Sequence, residues 1–119
     1  MGKINRQAIF EKYDGHCAYC GREMVIADMQ VDHIRPKCIG GNDAEANLNP
    51  SCRKCNHYKR ATTLEGFRFT MRGLHHRISK IYIHQVAVNF GMATLAPFDG
   101  KFYFEKISPA PAPVTGTEQ

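Results

Sequence analysis

The chain carries five short motifs between residues 17 and 59, and their order decides the fold: Cys17-Ala18-Tyr19-Cys20, Asp32-His33-Ile34-Arg35-Pro36, Gly40-Gly41, Asn47-Leu48 and Cys52-Arg53-Lys54-Cys55-Asn56-His57-Tyr58-Lys59. The two Cys-x-x-Cys pairs can build one metal site. The Asp-His pair and the asparagines supply oxygen and imidazole groups for a second site of different chemistry. Few functions need both kinds of site within so short a span.

The two cysteine pairs, Cys17 with Cys20 and Cys52 with Cys55, have the spacing of a tetrahedral thiolate zinc site. The second pair lies at the start of a predicted helix, where the helix dipole favours thiolates. We therefore predict a structural Zn²⁺ that joins the two ends of the motif region and contributes much of the folding free energy of a small core. A redox dithiol and two disulfides are the alternatives. Cys38 fits neither pair and is interpreted as a loop thiol without a role.

Length and charge place this motif region in a single basic domain. The chain has 119 residues and a formal net charge of +5, and a basic surface of this kind suits a polyanionic partner. The amino terminus has no apolar core of a secretory signal, and no apolar run reaches the length of a membrane span. These features predict a cytoplasmic protein with no membrane partner. Thiols stay reduced in that compartment, which favours metal binding over disulfides.

Asp32 and His33 suit phosphodiester hydrolysis, which needs a base for water and a cation on the phosphate. The pKa of histidine ordinarily lies near neutrality, and a carboxylate is a hard ligand for Mg²⁺ or Mn²⁺. Neighbouring residues in a regular strand point to opposite faces, so these two can serve one site only where the strand ends or bends. Pro36 supplies such an end.

The second ligand for a catalytic metal is predicted from helix geometry. At roughly 100° per residue, Asn56 lies about 40° around the helix from Cys52, whereas His57 lies about 140° away. Asn56 therefore shares the face of the zinc ligands, and its amide oxygen suits a hard cation. We favour Asn56 over His57 as metal ligand. A phosphate contact is the alternative role for His57, and a surface amide is the alternative for Asn56.

Together these motifs resemble the HNH endonucleases, in particular their zinc-binding, four-cysteine branch. The resemblance covers residues 17–60 and departs from the family name at its last position, where Asn56 stands in place of the histidine of many members. It implies a small α+β fold with a ββα-metal (His-Me finger) core. It also implies that Asp32 ligates the catalytic metal, that His33 activates water, and that Asn47 holds the His33 imidazole and stabilises the loop.

The implied activity is that of a divalent-metal-dependent DNA endonuclease that nicks one strand per event. Its cofactors would be structural Zn²⁺ and catalytic Mg²⁺ or Mn²⁺, and its partner double-stranded DNA, bound by a monomer or a weak homodimer. Cations near the motifs are candidates for phosphate contacts; they are Arg35, Lys37, Arg53, Lys59 and Arg60. The alternative function is a non-catalytic zinc module that only binds nucleic acid.

Secondary structure around the motifs is predicted from patterning. A short helix is expected over residues 6–13, followed by a hairpin of residues 23–27 and 30–34 and a loop over 39–49. Residues 52–60 form the metal helix, with Ser51 as its N-cap.

The rest of the chain carries no recognised motif. Thr62 with Glu65 fits a capping box at the start of a helical stretch over residues 64–90, whose later part could also suit a strand. A turn at Asp99-Gly100 predicts a short terminal strand over residues 101–105. The domain is expected to span residues 1–106, with a disordered Pro/Ala-rich tail over 107–119.

Overall fold

The computed structural model describes residues 3–107, and within them the protein is α+β. Its elements are α1 (Arg6–Glu11), β1 (Gln30–His33), β2 (Leu48–Ser51), α2 (Arg53–Lys59), α3 (Leu64–Ser79), α4 (Tyr82–Asn89) and α5 (Tyr103–Ile107). The two strands form one antiparallel sheet, and α2 follows directly after it. The fold class and the additional helices are thus confirmed.

The predicted hairpin is wrong, because β1 pairs with β2 and not with residues 23–27. The register joins Val31 to Pro50 and His33 to Leu48. Residues Ile26–Asp28 form a 3₁₀ turn instead, and Met29 follows with an ordinary negative φ of −72°. A tight hairpin would need positive φ in the connection, which Asp28-Met29 does not favour. β2 is buried along its whole length, so pairing with it gives β1 a covered partner.

Both N-caps lie one residue later than predicted, although α3 itself begins at Leu64 as expected. Cys52, not Ser51, caps α2, since its sulfur accepts from the backbone N–H of Cys55. Thr63, not Thr62, caps α3 by accepting from the N–H of Gly66. A Cβ at Gly66 would lie 2.1 Å from the Thr62 hydroxyl oxygen, so glycine allows Thr62 to pack against the first turn of α3.

The stretch over residues 64–90 is two helices. α3 and α4 are separated by Lys80 and Ile81, and the interior glycines of α3 do not interrupt it. The alternative of a strand for the later part is wrong, because residues Tyr82–Asn89 are helical. None of the described helices is both long and apolar enough to cross a membrane.

The predicted terminal strand is a helix, α5. Glu105 accepts a hydrogen bond from the backbone N–H of Phe102, which caps the start of this helix. The N–H groups of Tyr103 and Phe104 donate to the carbonyls of Tyr19 and Ala18, so α5 docks on the first cysteine pair. Ile107 is the last residue of α5. The tail prediction otherwise falls on residues 108–119, outside the described residues, and stays a prediction.

Two buried clusters hold these elements together. The larger joins the cysteine pairs to the aromatic side chains of Tyr19, Phe67 and Phe102, which come from three separate parts of the chain. The smaller contains Ile9, Met29 and Leu48, and it packs α1 against the sheet. The motif region is therefore covered by α1 on one side and by α3 and α5 on the other.

Candidate active site and metal cluster

The four predicted zinc ligands converge into one cluster, which we call the cysteine cluster: Cys17, Cys20, Cys52 and Cys55. Their sulfur atoms all lie within 4.8 Å of one another, and the sulfurs of Cys20 and Cys52 are 3.8 Å apart. A tetrahedral zinc site with Zn–S bonds of about 2.3 Å has sulfur–sulfur edges of about 3.8 Å. The cluster is positioned to bind a metal ion and fits structural zinc in both size and donor type.

Backbone groups around the cysteine cluster favour thiolates. The Cys17 sulfur accepts from the N–H of Tyr19 at 3.4 Å and from that of Cys52 at 3.2 Å. Hydrogen bonds from the thiols of Cys20 and Cys55 lower the pKa of Cys17 in spite of its burial. All five cysteines are free, so the disulfide alternative is not what this fold forms.

A second site lies where β1 faces α2, in an open cleft of about 360 Å³ that we call the β1–α2 cleft. Its walls combine both elements with the turn that follows β1. The lining residues are Val31, Asp32, His33, Pro36, Lys37, Cys38, Asn56, Arg60 and Ala61. Three of the four predicted catalytic residues, Asp32, His33 and Asn56, therefore share one cleft.

Asp32 is the buried acid of this cleft, only 4% exposed. One carboxylate oxygen accepts from the Tyr19 hydroxyl at 2.5 Å, and the other lies 3.2 Å from the Lys59 ammonium. Burial raises the pKa of Asp32, while the hydrogen bond from Tyr19 and the charge of Lys59 oppose that shift. A buried carboxylate needs such partners, because an unpaired charge away from water is costly.

His33 stands at the end of β1, and its Nε2 atom lies 2.7 Å from a carboxylate oxygen of Asp43. The hydrogen bond to His33 lowers the pKa of Asp43. Sequence reasoning missed Asp43, since a loop acid ten residues away gives no periodic signal. The one feature of the sequence that could have indicated Asp43 is its position in the Gly/Asn/Asp-rich loop that follows the Asp-His motif.

Asn47 stabilises the loop but does not hold the His33 imidazole, contrary to expectation. Its side chain bridges backbone groups, accepting from the N–H of Arg35 at 2.8 Å and donating to the carbonyls of Arg35 and Asn42. The loop it closes is tight, because a Cβ at Gly41 would lie 1.7 Å from the Arg35 carbonyl oxygen. Asp43 takes the place beside His33 that was predicted for Asn47.

Asn56 and His57 lie in different surroundings, as the helix geometry indicates. Asn56 is half-buried and lines the β1–α2 cleft, while the exposed His57 does not line it and instead packs edge-on against Tyr58. The structure thus brings Asn56 together with Asp32 and His33.

The prediction that Lys59 contacts a phosphate is wrong. Lys59 is 1% exposed, and its ammonium donates to the carbonyls of His33 at 3.0 Å and Thr62 at 2.7 Å in addition to pairing with Asp32. A group so enclosed cannot bind a nucleic-acid backbone. The signal was present in the sequence, since Lys59 lies seven residues after Cys52 and therefore on the same helix face.

The other predicted cations are exposed but do not all share the cleft. Lys37 and Arg60 line it, and Arg35 lies on the adjoining turn with its Nε atom bonded to the Ile39 carbonyl. Arg53 faces a different cleft, beside Arg22 and Lys54. The positive surface therefore extends around α2 and is not confined to one wall.

Comparison with known proteins supports this arrangement. Residues 17–71 match the sequence model of the HNH endonuclease family. The Type II-C Cas9 enzyme from Actinomyces naeslundii is a similar solved structure, with 31% sequence identity over 54% of this chain and a TM-score of 0.50. The chain spans only 7% of the length of that enzyme. No curated protein matches the chain. The resemblance to HNH endonucleases is thus confirmed for the motif region.

Proposed function

We propose that this protein is a divalent-metal-dependent DNA endonuclease of the HNH type. The observation that carries the proposal is the β1–α2 cleft, which combines an acid, an imidazole and an amide with exposed cations at its edge. The cysteine cluster supports it, because Cys55 directly precedes Asn56 in α2 and a bound metal would fix the part of the helix that presents Asn56. The family match over residues 17–71 supports the same reaction class.

His33 is the proposed general base. Its Nε2 atom is engaged with Asp43, and an ionised carboxylate can only accept a hydrogen bond. The neutral imidazole then carries its proton on Nε2 and keeps a lone pair on Nδ1, which is the atom that would take a proton from water. Asp43 acts as a positioning residue that holds this tautomer.

Asp32 and Asn56 would hold a Mg²⁺ or Mn²⁺ ion. Hard cations prefer oxygen ligands of this kind. Among residues 3–107 each Asp32 oxygen has one partner, which leaves it a lone pair, so the donor set fits a cation without loss of Tyr19 or Lys59. When bound, such an ion neutralises charge on the phosphate and on the leaving 3′ oxygen.

The substrate backbone is proposed to lie along the cations around the cleft. Lys37 and Arg60 on its walls and Arg35 beside it are placed for phosphate contacts, which bind without reading sequence. Water deprotonated by His33 attacks phosphorus in line and expels the 3′ oxygen. The 3′ oxygen takes a proton from solvent water, so the products carry a 5′ phosphate and a 3′ hydroxyl. One cleft per chain cuts one strand in each event, so nicking is the expected activity of a single chain.

The test is cleavage of supercoiled plasmid in Mg²⁺, in Mn²⁺ and in EDTA. We expect metal-dependent nicking by the wild type and a loss of at least about a hundredfold in His33→Ala, the usual size of a general-base contribution. His57→Ala is the matched control, because it removes an exposed imidazole from α2 outside the cleft, and it should cleave as the wild type does. Asn56→Ala should need a higher metal concentration.

Two outcomes would contradict the proposal. Equal nicking by His33→Ala and the wild type would remove His33 from the mechanism. No cleavage by a well-folded, zinc-containing wild type with either metal would favour the non-catalytic nucleic-acid-binding module.

A further inference from the structure

Helix α4 carries its apolar side chains on the outside of the molecule. Tyr82, Val86 and Phe90, the C-cap of α4, recur every four residues, and together with Ile83 they span an arc of about 100° around the helix axis. We call these four residues the apolar stripe. Tyr82 is 79% exposed, Ile83 76% and Phe90 75%. The stripe is thus a large apolar surface that the described part of the chain leaves open to solvent.

The opposite side of α4 already has a partner. His84 and Val88 line a small open cavity together with His75 and Ser79 of α3, and the Gln85 amide donates to the Ser79 carbonyl. The stripe therefore cannot be buried by rotating α4 on α3 without exposing this other face. A contiguous apolar surface of this kind on a soluble protein ordinarily marks an interaction site.

The absence of charged residues around α4 limits the kinds of partner that could bind the apolar stripe. No Asp, Glu, Lys or Arg occurs between Lys80 and Asp99, although the chain as a whole is 23% charged with a net charge of +5. A nucleic-acid backbone would require cations here. A membrane-surface helix would carry Lys or Arg on its polar face, whereas the polar positions of α4 are His84, Gln85 and Asn89.

A second copy of this chain meets these requirements. Two uncharged helices can approach about a two-fold axis without like-charge repulsion, in spite of the net positive charge of each chain. The four side chains of the stripe expose on the order of 500 Å², less than the ~800 Å² that each partner contributes to a standard interface and in the range of weak, transient contacts.

We propose that the apolar stripe is a homodimer interface in which α4 of one chain packs against α4 of a second. The modest area and the shortness of the helix make this a weak, concentration-dependent dimer. The contact is isologous, since the same stripe serves both chains. It does not depend on the proposed nuclease activity, and its test requires no cleavage.

The test is sedimentation equilibrium of the full chain, purified with zinc, from low micromolar to near-millimolar concentration. The wild-type mass should rise from the 13.5 kDa of one chain toward twice that value. Ile83→Glu should weaken self-association by roughly tenfold or more, because it would bury two unpaired like charges. Ile83→Leu should dimerise as the wild type does. Val25→Glu makes the same change at an exposed apolar residue away from the stripe and should leave the dimer intact.

Three results would overturn the proposal. The first is a wild-type mass of one chain at every concentration. The second is self-association of Ile83→Glu equal to that of the wild type, which would place the interface elsewhere. The third is a monomeric wild type that sediments with anionic lipid vesicles through Ile83, which would assign the stripe to a lipid surface. Circular dichroism of each variant would confirm that its helices are retained.

Discussion

The motif region (residues 17–60) and the helical region (residues 64–107) are held in place by different physical means. In the motif region polar and sulfur groups lie inside: the cysteine cluster, and the buried pair of Asp32 and Lys59 with the Tyr19 hydroxyl beside it. In the helical region Phe67 and Phe102 form the buried contact, while α4 turns apolar side chains outward. Interactions between buried polar and sulfur groups thus hold the motif region together, and burial of apolar side chains holds the helical region together.

This difference has a functional consequence. Polar groups inside a protein must each find a partner, so their directions are closely constrained. A cleft built on such groups presents its side chains in one arrangement, as a catalytic site needs. Apolar packing tolerates more variation, which suits a region whose outer face is free to bind another molecule.

The strongest way to break the motif region is to remove a sulfur from the cysteine cluster. Cys52→Ser should lose zinc and most of the folded state, because structural zinc contributes on the order of 10 kcal/mol to small metal-dependent domains. Zinc content and the far-ultraviolet circular dichroism spectrum measure both effects. Cys38→Ser is the control, since Cys38 is exposed and lies outside the cluster. A folded, zinc-free Cys52→Ser protein would refute the dependence on zinc.

A substitution with a smaller expected effect tests the buried hydrogen bonds of the motif region. Tyr19→Phe keeps the ring that packs against Phe67 and Phe102 but removes the hydroxyl that donates to the buried Asp32 carboxylate and accepts from the Asn49 amide. We expect the free energy of unfolding to fall by roughly 1.5–3 kcal/mol, the usual value for a hydrogen bond to a charged group. Urea unfolding measures it. A loss no larger than that of Tyr58→Phe, at an exposed position, would show that this bond is unimportant.

The smallest expected effect on stability concerns the ion pair of Arg68 and Glu105 in the helical region. Hydrogen bonds from Arg68 hold the pKa of Glu105 below its ordinary value of 4.5. Because the pKa is lowered in the folded state, this stabilisation is fully present above pH 4.5 and is lost as the pH falls through the lower, folded-state value.

Glu105→Gln should therefore cost about 1 kcal/mol near neutral pH, and its difference from the wild type should shrink in acid. Urea unfolding of both proteins in excess zinc, over the part of this pH range in which zinc stays bound, measures the difference. Glu65→Gln is the matched control, because Glu65 also contacts Arg68 but is exposed. A pH-independent difference for Glu105→Gln would contradict the assignment.

Much of the candidate site could be predicted because its spacing is local. Cysteines three residues apart on a turn or helix start bring their sulfurs to one side, and four such sulfurs have few uses other than metal binding. The position of Asn56 on the cleft wall likewise follows from 3.6 residues per turn. The same rule, applied to Lys59, would have placed that side chain inside.

Other features depended on distant parts of the chain. Asp43 reaches His33 only because the loop closed by Asn47 folds back toward the end of β1. α5 forms because Glu105 caps it and because the carbonyls of Ala18 and Tyr19 accept its first N–H groups. No window of sequence around either residue contains that information.

By itself, the sequence of this protein determined the four members of the cysteine cluster, the α+β class, helix α2 and five residues that line the cleft. Each depends on covalent spacing over a few residues, where backbone geometry leaves little choice. Only the tertiary structure decided that β1 pairs with β2, that Lys59 is buried against Asp32, and that α4 exposes its apolar stripe. Those outcomes depend on which segments, far apart in the sequence, bury their apolar surfaces against one another. That choice is made by the folding of the whole chain and not by any local stretch.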